Sequence, residues 1–228
     1  MAREFSVSTE TIRRDLEELT RGGKIARTYG GAVARPPMLE PGWSERYMQM
    51  RSERAAIGKR AAALVKSGDV LMIDAGSSVQ HLADALVTQS VEITVVTNGV
   101  TVATTLAANP AISVMLCPGL YQPRDGCALG TETVDFISHF NATMAVVGAS
   151  GLMPDGPNDA SAGLVAVKRA MFARARQRVL LTDHSKFDQS HLCTICSLTD
   201  LTMLVTDRAP TGQLDMALRQ AGVEILTT

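Results

Sequence analysis

The sequence predicts an α/β fold, with a largely parallel sheet and flanking helices, over most of its 228 residues. From residue 70 onward, short apolar runs alternate with helix-forming stretches, which is the pattern of successive strand–helix–strand units. The run Val70-Leu-Met-Ile73 is continuously apolar, as in a strand that a parallel sheet buries on both faces. Apolar residues make up 46% of the chain, which is enough for a sizeable core.

A short helix is predicted near the start of the chain. Ile12, Leu16 and Leu19 recur at i, i+4 and i+7, so residues 9–20 should form a helix with Ser8 as its N-cap. The other face of this helix is charged. On periodicity alone, an ordinary amphipathic helix with a solvated face is an equally simple interpretation.

A basic hairpin is predicted after this helix. Residues 24–29 have the pattern of a short strand, Gly30-Gly31 closes it, and residues 32–34 return. A helix followed by a glycine-bounded hairpin is the order of a winged helix-turn-helix, whose second helix enters the major groove of DNA. The Pro-rich residues 35–43 then predict a linker, and residues 44–66 predict one helix.

The remaining elements alternate from Val70 to the end of the chain. Gly- and Pro-rich stretches at 120–127 and 153–163 are predicted to be loops. The predicted strands are 70–73, 93–97, 112–116, 144–147, 179–182, 201–205 and 223–226, and the predicted helices are 77–86, 100–108, 131–140, 164–178 and 211–220.

Small, hydroxyl and amide residues follow five of the predicted strands. Ligands of open α/β sheets collect at the carboxyl ends of the strands, where backbone N–H groups can approach an anion. The stretch Asp74-Ala-Gly-Ser-Ser78 leads into a helix whose first amides would face a phosphate, and Lys168, Lys186 or Arg124 could supply the countercharge. The alternative is that these Gly and Ser residues merely form turns. Neither a dinucleotide fingerprint nor a Walker sequence is present.

Bulk composition excludes several classes of protein. The net charge is −1, with +2 on residues 1–35 and −3 on the remainder, so basic character is confined to the front of the chain. No apolar run reaches the length of a membrane span, and four cysteines do not form a disulfide framework, so we expect a cytoplasmic protein. Cys193-Thr-Ile-Cys196 could suggest zinc or redox chemistry, but we interpret these cysteines as ordinary thiols and expect no metal and no cofactor.

The front of the chain resembles the helix-turn-helix stretch of DeoR-type bacterial transcriptional repressors. The resemblance rests on residues 5–19, which include Thr11-Ile-Arg-Arg-Asp-Leu16, and on residues 23–33, which end in Tyr-Gly-Gly-Ala-Val. The family's module has a first helix and most of a second before the point where this sequence begins, so we expect a partial winged helix-turn-helix that is poorly anchored. The resemblance implies operator DNA as the partner of the full-length parent and only weak binding by this shortened chain.

The remainder resembles the effector-sensing domain of the same family. The matching stretches are residues 74–78, 95–98, 167–171 and 183–187. The resemblance implies a fold similar to ribose-5-phosphate isomerase and CoA transferases, and a phosphorylated sugar as ligand. Three positions depart from the family pattern: Cys117-Pro-Gly119, Thr131, and residues 163–167, which lack the usual acids.

The resemblance also assigns expected roles to single residues. Asp74 would hold sugar hydroxyls, and Lys186 would pair with an anionic group. The full set of expected effector residues is Asp74, Gly76, Ser77, Ser78, Thr97, Asn98, Gly148, Ser150, Lys168 and Lys186. The expected DNA contacts are Thr9, Thr11, Arg13 and Arg14 on the helix, with Lys24 and Arg27 on the wing.

We therefore predict a DNA-binding transcriptional regulator, a repressor of carbohydrate metabolism genes, that a phosphorylated sugar controls. Its predicted parts are a partial winged helix-turn-helix at 1–34, a linker at 35–43 and a sensing domain at 44–228, assembled as a homo-oligomer. The alternative is an enzyme similar to a sugar-phosphate isomerase, with Asp74 as base and Lys186 stabilising an enediolate. The helix approach at 164–167 offers no acid for such a reaction, so we favour the regulator.

Overall fold

A computed structural model of the chain describes residues 7–21, 25–28, 31–34 and 41–228. The chain divides into two compact units, Met1–Pro41 and Gly42–Thr228. Most of the predicted linker and the predicted wing residue Lys24 lie outside the described residues.

The N-terminal unit contains the predicted helix and hairpin. Helix α1 spans Thr9–Arg21, and strands β1 (Ile25–Thr28) and β2 (Gly31–Ala34) pair antiparallel. Ser8 caps the helix as predicted, since its Oγ accepts a hydrogen bond from the amide of Thr11 at 3.0 Å.

The larger unit contains seven helices and twelve strands in its described residues 42–228. The helices are α2 (Trp43–Met48), α3 (Arg51–Ala62), α4 (Ser77–Leu86), α5 (Val100–Leu106), α6 (Thr131–Ser138), α7 (Ala162–Ala173) and α8 (Gly212–Gln220). The strands are β3 (Val70–Ile73), β4 (Ile93–Thr97), β5 (Ile112–Leu116), β6 (Leu120–Gln122), β7 (Cys127–Leu129), β8 (Ala142–Gly148), β9 (Gly151–Met153), β10 (Gly156–Asp159), β11 (Ala175–Leu181), β12 (Cys193–Thr194), β13 (Met203–Thr206) and β14 (Glu224–Thr227).

A seven-stranded parallel sheet forms the centre of this unit, which confirms the predicted fold class. The strand order is β14-β13-β11-β8-β3-β4-β5. Ile73 at the end of β3 pairs with Thr97 at the end of β4, and Leu181 at the end of β11 pairs with Gly148 at the end of β8. The carboxyl ends of the central strands therefore lie level with one another at one edge of the sheet.

Helices cover both faces of the sheet. Successive strand residues point to opposite faces, so Ile73 packs in one core cluster with Ile57, Leu82 and Leu106 from α3, α4 and α5. Met72 packs in a second cluster that includes residues of α6, α7 and α8. Burial on both faces explains why these strands are continuously apolar in sequence. No helix in the described part of the chain combines the length and the apolar character that crossing a bilayer requires.

The prediction of one helix over residues 44–66 is wrong. The helix is interrupted after Met48, and Met50 adopts a left-handed conformation with φ of 49° before α3 begins. On either side of the interruption, α2 and α3 both reach α4, through Tyr47 of α2 and along the length of α3, but α2 also reaches the loop that contains Asp125.

Two predicted loops contain strands, and one helix ends earlier than predicted. Residues 120–127 enter a hairpin of β6 and β7, in which the amide of Ala128 donates to the carbonyl of Asn98. Residues 153–163 contain β10, which pairs with β9 and β12. The partner β12 is distant in sequence, so local composition does not reveal that pairing, whereas β6 with β7 and β9 with β10 are short hairpins between chain neighbours. Helix α7 ends at Ala173, and β11 begins at Ala175 with polar residues that extend past the buried part of the sheet.

Candidate functional site

Asp74 lies directly after β3, at the centre of the carboxyl edge of the sheet. Because β3 and β8 are parallel neighbours, the amide of Gly148 at the end of β8 donates to Asp74 Oδ1 at 3.3 Å. The amide of Asp74 in turn donates to the carbonyl of Val146. The side chain is completely buried, so the backbone of the neighbouring strand fixes the carboxylate.

Lys168 reaches the same point from α7. Its Nζ donates to Asp159 Oδ2 at 2.5 Å and to the carbonyl of Gly148 at 2.9 Å, and it lies 3.3 Å from Asp74 Oδ2. All three charged side chains are at least 95% buried. One ammonium therefore compensates two carboxylates in a region that excludes water.

Burial and charge shift the pKa values of this cluster. Burial raises the pKa of Asp74 to about 6, and the nearby ammonium of Lys168 opposes that rise only in part. Burial alone would lower the pKa of Lys168, but the charges of Asp159 and Asp74 outweigh it and raise that pKa. Lys168 is therefore charged at neutral pH, while Asp74 is a carboxylate that can accept hydrogen bonds from hydroxyl groups.

Three buried polar atoms at this edge lack a hydrogen-bond partner among the described residues. They are Asp74 Oδ2, whose 3.3 Å approach to Lys168 lacks hydrogen-bond geometry, Asn98 Oδ1 and Thr182 Oγ1. These residues follow β3, β4 and β11. The amide nitrogen of Asn98 is fixed by the carbonyl of Ala128 at 3.0 Å. Buried polar atoms usually have a hydrogen bond, so acceptors without one at a single sheet edge indicate a site for a ligand with hydrogen-bond donors.

The N-terminus of α4 borders this site. Gly76 is the N-cap residue, and Ser77 and Ser78 begin the ten-residue helix, both almost completely buried. The first turn contains no acidic residue. Its free backbone N–H groups, together with the positive end of the helix dipole, suit an anion such as a phosphate.

Arg54 on α3 is part of the same edge, and the sequence interpretation missed it. Its Nε donates to Asp183 Oδ2 at 2.7 Å and its Nη1 donates to Ser77 Oγ at 2.8 Å. Burial would raise the pKa of Asp183, but Arg54 and the hydroxyl of Ser185 outweigh it and lower that pKa. The signal in the sequence is that Arg54 lies three residues before buried Ile57, on the face of α3 that packs against the sheet.

Other residues expected at the site have local contacts. Thr97 is buried, and its Oγ1 accepts from the amide of Gly99 at 3.0 Å. Ser150 is buried, and its amide donates to the carbonyl of Asn158 at 3.0 Å. Lys186 is half-buried, and its charge helps to lower the pKa of Asp183. The structure thus brings Asp74, Gly148 and Lys168 into direct contact. Thr97 ends the neighbouring strand β4, while Ser150 and Lys186 lie in the segments that follow β8 and β11.

The expected DNA-contacting residues of α1 are exposed. Thr9, Thr11, Arg13 and Arg14 all face solvent. Arg13 pairs with Glu10 at 2.6 Å and with Glu17, and these carboxylates raise its pKa. Arg27 lies in β1 opposite Ala32, and its side chain is outside the described residues. Contact with a phosphate would require Arg13 to exchange one of its two acidic partners.

Cys193 and Cys196 are half-buried free thiols. Burial raises the pKa of Cys196 to about 12, which makes its thiolate form rare. Within the described residues, no group of three or more His, Cys, Asp or Glu side chains has an arrangement that could hold a metal ion.

A helix and hairpin of winged helix-turn-helix order, followed by an α/β unit with a buried polar site, define a transcriptional regulator with its own sensing unit. Residues 1–36 match the DeoR-like helix-turn-helix domain, and residues 49–208 match the DeoR C-terminal sensor domain. The chain belongs to the DeoR family. It is 34% identical over 207 residues to the glycerol-3-phosphate regulon repressor of Escherichia coli K12, an alignment that covers 90% of this chain and 82% of that protein. These relationships favour the regulator over the isomerase alternative.

A solved structure of another protein shares the fold over much of this chain. The eIF2B delta subunit of Chaetomium thermophilum superposes with a TM-score of 0.51 at 18% identity, over 71% of this chain and 56% of that chain. Ribose 5-phosphate isomerase A of Neisseria gonorrhoeae superposes with a TM-score of 0.44 at 16% identity, over 59% of this chain and 52% of that chain. Identities this low concern the fold alone.

Proposed function

We propose that this chain represses carbohydrate metabolism genes under the control of a phosphorylated sugar or polyol bound around Asp74, Ser77 and Lys168. The observation that carries the proposal is the set of buried acceptors without a hydrogen bond at the sheet edge, next to a helix N-terminus. Sugar hydroxyls are donors that suit these acceptors, and a phosphate suits the helix amides. The name of the E. coli relative, which refers to a glycerol-3-phosphate regulon, supports a phosphorylated ligand.

The proposed roles follow the geometry of the edge. Asp74 and Asn98 accept hydrogen bonds from sugar hydroxyls, while Lys168 holds Asp74 in place. Gly76, Ser77 and Ser78 bind the phosphate, and Lys186 adds positive charge. Thr97, Gly148 and Ser150 shape the walls.

A thermal-shift screen tests the proposed ligand class. The panel is ribose 5-phosphate, glucose 6-phosphate, fructose 6-phosphate and sn-glycerol 3-phosphate, each with its unphosphorylated counterpart, and inorganic phosphate. A ligand that binds only the folded state at 100 times its Kd stabilises it by about 2.7 kcal/mol, which raises Tm by roughly 5–10 °C in a protein of this size. No shift with any phosphorylated compound would contradict the proposal.

Matched variants place the binding site. Asp74→Asn should weaken binding of the responding sugar phosphate at least about tenfold, since one acceptor becomes a donor that clashes with sugar hydroxyls. Ser67→Ala is the control, because Ser67 Oγ accepts from the amide of Glu92 at 3.2 Å, near the opposite edge of the sheet. Equal affinity in both variants would place the ligand elsewhere. An assay of ribose 5-phosphate turnover separates a sensor, which binds without turnover, from an isomerase.

We propose that residues 1–34 contact operator DNA through Thr9, Thr11, Arg13, Arg14, Lys24 and Arg27 but bind it only weakly in this chain, and that 35–43 link them to the sensing domain at 44–228. Duplexes selected from a random pool by the purified chain provide the probe. Arg14→Ala should weaken binding and lower the salt-dependence slope by about 1 for each lost phosphate contact. The matched control is Arg219→Ala, which removes an exposed arginine of α8 and should leave the DNA affinity and the salt-dependence slope unchanged.

The proposed assembly is a cytoplasmic homo-oligomer. Helix-turn-helix proteins usually read repeated half-sites as dimers. In the larger unit, Leu116, Leu120 and Tyr121 are exposed at the β5 edge of the sheet and on the adjacent hairpin, which supports self-association there. Sedimentation velocity of the purified chain should show a species larger than a monomer, and Leu120→Asp should reduce it.

A further inference from the structure

A single buried guanidinium joins three elements of the larger unit. Besides its bonds to Asp183 and Ser77, Arg54 donates from Nη1 to the backbone carbonyl of Arg46 on α2 at 2.6 Å. Arg54 is 1% exposed. The same side chain therefore contacts the first residue of α4 at the candidate effector site, the loop after β11, and α2.

Helix α2 is the first element of the larger unit, and it follows the segment that leads from the N-terminal unit. It has six residues, none of them buried. Helices this short are marginal without tertiary contacts, and α2 is held by polar contacts together with the stacking of Trp43 on Tyr47 and of Tyr47 on His81. Arg46 pairs with Asp125 at 2.8 Å, the amide of Trp43 donates to the carbonyl of Arg124 at 3.0 Å, and Tyr47 donates to Asp84 at 2.8 Å. The bond from Arg54 is one of several contacts that hold α2, and it comes from a side chain that also bonds to Ser77 at the effector site.

We propose that Arg54 is a positioning residue that couples the phosphate end of the effector site to α2. This inference rests on the proposed function, since it concerns the regulation of that same site. Ser77 Oγ accepts from Arg54 and keeps one proton to donate to a ligand. A phosphate at Ser77 also attracts the guanidinium more strongly than the neutral carbonyl of Arg46 does. Ligand binding therefore weakens the bond to α2, which gives α2 different stabilities in the bound and free states.

A double-mutant cycle read by hydrogen exchange tests the coupling in the full chain without any ligand. Ser77→Ala removes the acceptor at the effector side, and Arg54→Lys keeps the charge opposite Asp183 but cannot span Ser77 and the Arg46 carbonyl together. Ser78→Ala is the matched control, since Arg54 does not bond to Ser78. Mass spectrometry follows exchange of the backbone amides of residues 43–48.

In the wild-type background, Ser77→Ala should change the exchange rates of residues 43–48 by about threefold to tenfold, the effect of altering one charge-assisted hydrogen bond. In the Arg54→Lys background the same substitution should change them by less than about 1.5-fold, because the link is already broken. Ser78→Ala should have no effect on α2 in either background. A structural role alone would give additive effects of Ser77→Ala and Arg54→Lys.

Additive effects, or no effect of Ser77→Ala on α2, would overturn the proposal. The Tm of each variant shows whether the whole unit remains folded. If Arg54→Lys does not fold, Arg54→Met combined with Asp183→Asn removes both buried charges and serves as the second background. No sugar phosphate enters these measurements, so failure of the thermal-shift screen and failure of the coupling are separate results.

Discussion

The ammonium of Lys168 and the carboxylate of Asp159 lie 2.5 Å apart, with side chains only 3% and 5% exposed. Asp74 lies 3.3 Å from the same ammonium on its other side. Because charges in a water-excluding region are costly unless they are paired, removing the ammonium would leave two carboxylates without compensation. This relationship makes the cluster as important for stability as it is for the proposed binding site.

Lys168→Met should therefore destabilise the larger unit by about 3–5 kcal/mol, the usual cost of breaking a buried ion pair. Urea denaturation followed by circular dichroism measures the loss. The control is Arg219→Met, which removes an ion pair with Asp215 whose arginine side chain is 72% exposed, and should cost less than about 1 kcal/mol. Similar losses of unfolding free energy in Lys168→Met and Arg219→Met would contradict the description of the Lys168 ammonium as compensation for two buried carboxylates.

Ionisation of Asp74 should make stability depend on pH. Its pKa of about 6 in the folded chain lies above the ordinary value of 3.8, so the folded chain retains a proton that the unfolded chain has already lost. The free energy of unfolding of wild type relative to Asp74→Asn should fall by about 3 kcal/mol between about pH 4 and pH 6 and stay level above pH 7.

Asp183 provides a control of opposite sign for this pH dependence. The pKa of Asp183 is lowered in the folded chain, so the stability that it contributes is present above its ordinary pKa and is lost as the pH falls below about 4. Wild type relative to Asp183→Asn should therefore gain stability as the pH rises through the acid range. If the difference in unfolding free energy depended on pH with the same sign in both comparisons, the raised pKa of Asp74 would be contradicted.

Gly58 permits the close approach of α3 and α4. A Cβ at this position would lie 2.4 Å from both the carbonyl carbon and the carbonyl oxygen of His81, and backbone atoms cannot move aside as a flexible side chain can. Gly58→Ala would increase helix propensity by about 1 kcal/mol, yet the overlap should make the variant less stable by at least about 2 kcal/mol. In Gly42→Ala the nearest atom is 3.9 Å away, so denaturation should show almost no change.

The parallel sheet could be predicted from the sequence because burial on both faces leaves a local signal. Val70–Ile73 is apolar at every position and Ile93–Thr97 at three of five, and the structure ends both strands where the sequence predicts. The break between α2 and α3 could not be predicted in this way. Neither Gln49 nor Met50 is a helix breaker, and α2 makes contacts with residues such as Asp125 that lie far away in the sequence.

The candidate site shows the same difference between local and distant information. Polar residues after apolar runs predict that Asp74 and Gly148 lie at one edge, because parallel strands end together. Asp159 has no such signal, because it lies within a Gly- and Pro-rich segment, and the signal of Arg54 is only its spacing of three residues before the apolar Ile57. Their roles follow from the packing of α3 and α7 against the sheet, which a single sequence does not record.

The single tryptophan of the chain should report the state of α2. Trp43 stacks on Tyr47 with ring centroids 5.2 Å apart, and Tyr47 stacks on His81 of α4 at 4.6 Å. If a phosphate at Ser77 weakens the bond from Arg54 to α2, the environment of Trp43 changes. We therefore expect its emission to shift by about a few nanometres, or its intensity to change, when a sugar phosphate from the panel binds.

Three comparisons assign that signal. Trp43→Phe should abolish it, and the unphosphorylated sugar at the same concentration should not produce it. Arg54→Lys should reduce the amplitude at saturation to less than about a third, even where calorimetry shows that the sugar phosphate still binds, because coupling between two sites is a free energy that can be lost separately from affinity. An undiminished signal in Arg54→Lys would mean that ligand binding reaches α2 by a route that does not include this guanidinium.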